Sequence, residues 1–358
     1  MLNDVLKEVP GLLGRRFLTN AFFPSFLFWA LIIVVAIAGQ ADFVNVLKEW
    51  NQLDIALKAL LIIGFFSLLI FFSVILSSNF NTILRFYEGY WNFPLGRLKK
   101  SRKMWHESQL KQLELKLQNF PQQKNDLDKK IAQIKQEIEI ISQQQEKLKL
   151  KEQLKKLEEQ LKNLQYNSET SYKTIYQYYP LPEQSKEVMP TRLGNILRNA
   201  ELYSYNRYNI DAVLFWPRLY NLLPERFLET IAEAKSSLDF MLVISALSGI
   251  FGLLSSVYLL IVKASGLLFI TCFWGGLFLA WLTYKSAVGS ALFYAQQIKT
   301  AFDLYRHELL KQMRLELPNT PLEEPELWKK IGELLYNNYR DKNLHYKDAD
   351  AAKTQNSP

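Results

Sequence analysis

The chain has 358 residues, with 43 Lys+Arg against 35 Asp+Glu and a formal charge of +8. Its single cysteine, Cys272, excludes an intrachain disulfide framework or a Cys-based metal site, and His106, His307 and His345 share no ligand spacing. Phosphate loops, HExxH, GxSxG and dinucleotide fingerprints are absent, so the residues indicate no catalytic site, no metal and no cofactor, and the expected class is non-enzymatic.

A mean hydropathy near zero conceals two populations, very apolar spans and very polar connectors. Four stretches free of Asp, Glu, Lys, Arg and His run Phe22–Gly39, Ala59–Ser78, Phe240–Val262 and Leu267–Tyr284, each close to the ~20 residues a helix needs to cross a bilayer. The first follows Arg15-Arg16 and ends Ala36-Ile37-Ala38, the small-residue spacing of a signal-peptidase site. Its apolar run exceeds the ~7–15 residues of a signal-peptide core and reads as an uncleaved anchor. Trp29, Tyr87, Tyr90, Trp91, Trp281 and Tyr284 flank the spans as interfacial aromatics do.

Lys/Arg bias sets the threading. The segment after the second span carries Arg85, Arg97, Lys99, Lys100, Arg102 and Lys103, whereas the connectors within each pair of spans are short and nearly neutral. The expected architecture is all-α: two transmembrane hairpins in a bacterial inner membrane, with short links outside and both termini and the long insert in the cytoplasm. Charge-free spans argue against proton-coupled transport. Ser248, Gly252 and Ser256, with Gly276 and Ala280 opposite, allow close helix packing, within a hairpin or around an oligomer axis.

In the insert, Leu127, Ile131, Ile134, Ile138 and Ile141 form one heptad seam, and Leu150, Leu154, Leu157, Leu161 and Leu164 form another in a different phase. Asn119-Phe-Pro121 reads as a breaker that ends a shorter helix over 98–118, which can fold back on the long one; the phase change at Gln143-Gln-Gln145 reads as a discontinuity rather than a turn. This coiled coil is expected to support a homo-oligomer or dock a cytoplasmic protein. Its interleaved Glu residues weaken a nucleic-acid reading.

Thr191 is placed to cap a helix carrying Leu193, Ile196 and Leu197. Ile210–Leu223 is apolar and aromatic, too short to span, and reads as an interfacial or re-entrant segment. Arg192, Arg198, Arg207, Trp216 and Arg218 are the candidate contacts to a ligand or to anionic headgroups. The third span is expected to continue one long helix that starts near Pro224 outside the membrane, and the fourth to run out through Lys285 as an amphipathic helix with Ala287, Ala291, Ile298, Phe302 and Leu309 recurring at helical intervals. Thr320-Pro-Leu-Glu323 predicts a capping box opening a last helix. The expected divisions are 1–91, 92–180, 181–236, 237–285, 286–340 and a disordered tail over 341–358.

Five segments carry a resemblance: Arg85-Phe-Tyr-Glu-Gly-Tyr-Trp91, Pro190-Thr-Arg-Leu-Gly-Asn-Ile-Leu-Arg198, Trp216-Pro-Arg-Leu219, Phe302-Asp-Leu-Tyr-Arg306 and Pro321-Leu-Glu-Glu-Pro-Glu-Leu-Trp328. Together they resemble a set of uncharacterised bacterial four-span integral membrane proteins. The resemblance implies an inner-membrane protein and no reaction, and it does not extend over the coiled coil. The expected function is a scaffold or sensor whose cytoplasmic helices dock a partner. The alternatives are an oligomeric channel gated by those helices and a lipid-headgroup-binding protein or enzyme.

Overall fold

A computed structural model describes residues 14–39, 43–339, 341, 342, 344 and 346. His345 and most of the tail over 341–358 lie outside the described residues. Most of those described are helical, and their one β contact is an isolated bridge between Leu315 and Tyr346.

A π-helical turn, Leu18–Phe22, leads into α1 (Phe23–Ala38), then α2 (Phe43–Gln52), α3 (Ile55–Ser78) and α4 (Phe80–Glu88). Two long helices follow, α5 (Gly96–Ile140) and α6 (Gln144–Tyr178), then α7 (Arg192–Tyr208) and α8 (Ala212–Tyr220). The chain ends in α9 (Glu225–Ile261), α10 (Gly266–Gln312) and α11 (Glu324–Asn337). Four helices are long and apolar enough to cross a membrane: Leu18–Ala38, α3, α9 and α10.

Small residues let α9 and α10 meet backbone to backbone. A Cβ on Gly276 would lie 2.7 Å from the Gly252 Cα and 2.9 Å from the Ser248 carbonyl oxygen. Ser245 donates to the Ala280 carbonyl at 2.8 Å, and Ser248 and Ser256 are buried. The stripe Ser248, Gly252, Ser256, Gly276, Ala280 is thus engaged within one chain. Beside it, Phe28 stacks on Phe72 with centroids 6.1 Å apart, and α1, α3 and α4 close over Val243 and Leu247 of α9. The outer sides of α3 and of the apolar half of α10 expose Leu60, Ile63, Leu68, Leu267, Trp274 and Phe278, the kind of surface that lipid covers.

The insert differs from the sequence expectation. α5 runs unbroken through Pro121, and the chain reverses at Ile141–Gln143 instead, where Ile141 and Gln143 adopt extended backbone. Pro121 is exposed, so water can serve the carbonyl its missing N–H leaves unpaired. The reversal lies at the change of heptad phase. One straight helix cannot present both seams to a common side, whereas two antiparallel helices can turn them toward each other. Lys135 pairs with Glu158 at 3.4 Å, and Leu110 packs with Ile175 and Tyr179 at the root of the pair.

The polar end is built on two buried clusters. In the first, Leu193, Ile196, Leu197 and Ala200 of α7 pack on Ala287, Ala291 and Ala295 of α10 and on Leu238 and Leu242 of α9. In the second, Phe215 of α8 meets Trp328 of α11 edge-on at 5.3 Å, and Trp216 packs on Phe302 of α10. The segment expected at a lipid interface therefore buries its apolar face against protein. The last helix begins at Glu324, later than the Thr320 box predicted. Glu323 instead accepts from the Asn319 N–H at 3.2 Å. Glu324 is buried and takes hydrogen bonds from Arg306 at 2.7 Å, His307 at 3.0 Å and Trp328 at 3.2 Å. Burial opposes its ionisation, but these donors prevail and hold the carboxyl below its ordinary range.

The Arg85–Trp91 and Pro190–Arg198 segments interlock. Gly89 ends α4 with φ +96°, and a Cβ there would lie 2.2 Å from the Pro190 ring. A Cβ on Gly194 would lie 2.1 Å from the Glu88 carbonyl oxygen. Between them, Thr191 accepts from the Gly194 N–H at 2.9 Å and reaches the Tyr87 and Glu88 carbonyls at 2.7 and 2.9 Å. Asn195 pins the preceding loop through both the N–H and the carbonyl of Met189.

Gly194→Ala is expected to lower the thermal midpoint in detergent, at a cost of about 1–3 kcal/mol or more because backbone must move. Gly332→Ala, where a Cβ meets nothing within 4 Å, should gain about 0.5–1 kcal/mol from helix propensity. Equal midpoints for the two variants would refute the close-approach account.

Candidate functional site

A cavity of about 810 Å³ opens where the fourth apolar stretch ends, within the size range of small-molecule pockets. Five segments build it. α4 and the loop after it contribute Phe86, Tyr87 and Trp91; the root of α5 contributes Arg102, Trp105 and His106. The last turns of α6 and the residue after it contribute Thr174, Tyr178 and Tyr179, and the start of α7 contributes Pro190, Thr191 and Arg192. α10 closes the side nearest its apolar half with Trp281, Tyr284, Lys285, Val288, Gly289 and Leu292.

The Gly89–Pro190 seam holds the mouth in place. Trp91 is fixed by its indole N–H donating to the Phe86 carbonyl at 2.7 Å, and Tyr87 stacks on Tyr284 at 5.7 Å. Each cation lies over a ring: Arg192 over Tyr178 at 4.1 Å, Arg102 over Trp105 at 4.9 Å and Lys285 over Trp281 at 4.1 Å. Such contacts hold a charged head in place without neutralising it. No carboxylate lines the cavity, and none of these three cations has an ion-pair partner among the described residues. The walls therefore carry three positive charges and no negative one.

His106 sits inside this field. Its ring meets Trp105 edge-on at 4.7 Å, and its Nδ1 lies 3.1 Å from the Tyr179 hydroxyl. Burial, reinforced by the positive charges of Arg102 and Arg192, pushes its pKa down to about 4. The imidazole is thus neutral at physiological pH. Further along α10, Lys299 is buried and donates to the Tyr176 carbonyl at 2.8 Å, tying the end of α6 to α10. Burial lowers its pKa to about 8, against the pull of Asp303.

No protein-family model, curated protein or solved structure matches the chain.

The five candidate ligand residues do not converge. Arg192 lines the cavity. Arg198 is held by Glu187 and Glu201, and Arg207 lines a separate cavity of about 210 Å³ with Tyr176 and Tyr203. Trp216 packs on Phe302, and Arg218 donates to the Leu214 carbonyl of its own helix at 2.6 Å. Arg102, His106 and Lys285 escape a linear reading because the first two lie on α5 and the third on α10, far along the chain. The available signal was Arg102-Lys-Met-Trp105-His106, a basic-aromatic run that also reads as a topology marker. Among the described residues no three His, Cys, Asp or Glu side chains group to hold a metal ion.

The histidine gives a pH test. An unfolded imidazole titrates near 6.5 and the folded one near 4, so between these values the folded state binds fewer protons. Its contribution to stability is present above pH 6.5 and is lost as pH falls toward 4. His106→Gln should therefore reduce the fall in thermal midpoint between pH 7 and pH 4.5. Parallel pH profiles for the two proteins would sink the assignment.

Proposed function

We propose that the protein is a non-enzymatic sensor of anionic lipid headgroups in a bacterial inner membrane, and that the cavity is its binding site. The observation that carries this reading is a cavity with three unpaired cations, aromatic walls and no carboxylate, placed where the apolar part of α10 ends. Lys and Arg near a membrane surface attract anionic lipid, and Trp and Tyr settle at headgroup depth. In this reading the four apolar helices cross as two hairpins, with the termini and the α5–α6 pair in the cytoplasm. The Lys/Arg-rich stretch around residues 97–103 supports that orientation. The α5–α6 pair serves as the docking platform, as a coiled coil alone or in a homo-oligomer, and reports occupancy. Its root supplies Arg102, Trp105, His106, Thr174, Tyr178 and Tyr179 to the cavity wall.

The test is lipid binding by purified protein, read as thermal stabilisation and by native mass spectrometry. Phosphatidylglycerol should stabilise the protein and phosphatidylcholine should not, since a ligand that binds only the folded state raises its stability. Arg192→Gln should weaken binding about 10- to 100-fold, given roughly 1.5–3 kcal/mol for a charged hydrogen bond. Gly289 has open space at its Cβ position, so Gly289→Trp should obstruct the cavity with every charge intact. Equal binding of both lipids, or variants that bind as the wild type does, would overturn the proposal.

A further inference from the structure

The charge balance of the cavity and one orphaned atom narrow the ligand further, on the reading that the cavity binds an anionic headgroup. Arg102, Arg192 and Lys285 supply three positive charges to one space without a carboxylate. A phosphodiester carries a single negative charge and leaves most of that field uncompensated. A terminal phosphate carries about −1.5 to −2 at neutral pH and offers three strong acceptor oxygens. Fork-shaped guanidinium groups suit such an acceptor, as does an ammonium point charge.

The orphaned atom is His106 Nε2. Among the described residues it is the buried side-chain nitrogen or oxygen that lacks a hydrogen-bond partner. Such a group costs about 1–3 kcal/mol when left unsatisfied, and it belongs to a side chain that lines the cavity, where a ligand atom would satisfy it once the ring turns toward the opening. The tautomer follows from its neighbour. The Tyr179 hydroxyl has His106 Nδ1 as its one side-chain partner, so the phenol is satisfied as a donor when Nδ1 accepts. That places the ring proton on Nε2 and makes the orphan a neutral N–H donor. A neutral donor beside three cations completes a set that matches oxygen acceptors and repels other cations.

We infer that the cavity recognises a terminal phosphate, a phosphomonoester or diphosphate end group, with Arg102, Arg192 and Lys285 compensating its charge and His106 Nε2–H donating to one of its oxygens. The same chemistry occurs at the end of a lipid and on a soluble phosphate ester, and the experiment separates the two.

Phosphatidate and phosphatidylmethanol have the same tails, but methylation turns the terminal phosphate into a singly charged diester. In nanodiscs at pH 8, the full-length protein should bind phosphatidate about tenfold more tightly than phosphatidylmethanol. That preference should shrink as pH falls through the second phosphate pKa near 6. His106→Phe should weaken phosphatidate binding about tenfold and leave phosphatidylmethanol binding nearly unchanged. His106→Gln, which keeps an N–H donor, should restore much of the difference and guards against a folding artefact. Displacement of phosphatidate by soluble hexyl phosphate would support a water-soluble ligand, and its retention a lipid; the terminal-phosphate assignment stands in either case. Equal affinity for the two lipids, with Arg192→Gln still weakening both, would overturn this inference and leave headgroup binding intact. Binding of neither lipid would overturn both.

Discussion

The fold turns on a contact with no room for a side chain. Where α4 ends and α7 begins, Gly89 lies under Pro190 and Gly194 lies under the Glu88 carbonyl. This close approach brings together α4, which follows the second apolar helix, the root of the long α5–α6 pair, and the α7 face that fills the core on α10. Burial there has an electrostatic consequence. Glu88 is desolvated and faces the charge of Glu201, which together raise its pKa to about 7 despite Arg85 and Lys235. The seam is steric first, and its charges adapt to the packing.

The apolar skeleton was legible in the sequence because length and hydropathy are local properties. All four expected spans fall on helices that are long and apolar enough to cross a membrane, and α9 and α10 extend beyond theirs as the uninterrupted sequence implies. Thr191 caps α7 as its position predicts. The insert misled because a proline was weighed above a phase change. A helix-interior proline costs about 3 kcal/mol, which a helix of 45 residues carries here without ending; a seam that changes phase cannot be served by one straight partner. The apolar length of Ile210–Leu223 suggested lipid, but the sequence does not show that Trp328 arrives from more than a hundred positions away to cover Phe215.

The candidate site was less legible for a related reason. A charge acquires chemical meaning from the absence of its opposite, and absence is a property of three-dimensional neighbourhoods. Arg192 and Arg198 sit six residues apart in one motif, yet Arg198 is neutralised by Glu187 and Glu201 while Arg192 lies over the Tyr178 ring. The motifs themselves are structural as much as functional. Trp216, Phe302, Arg306, Glu324 and Trp328 belong to three of them and meet in one buried cluster and its hydrogen-bond network.

The length of α10 has a mechanical consequence. It is a single helix of 47 residues, about 70 Å at 1.5 Å per residue, with an apolar half and a half clasped by α7, α8 and α9. The cavity opens near Lys285, where the two halves meet, so one uninterrupted backbone ties its wall both to the apolar end and to the two buried clusters, and no break within the helix uncouples them.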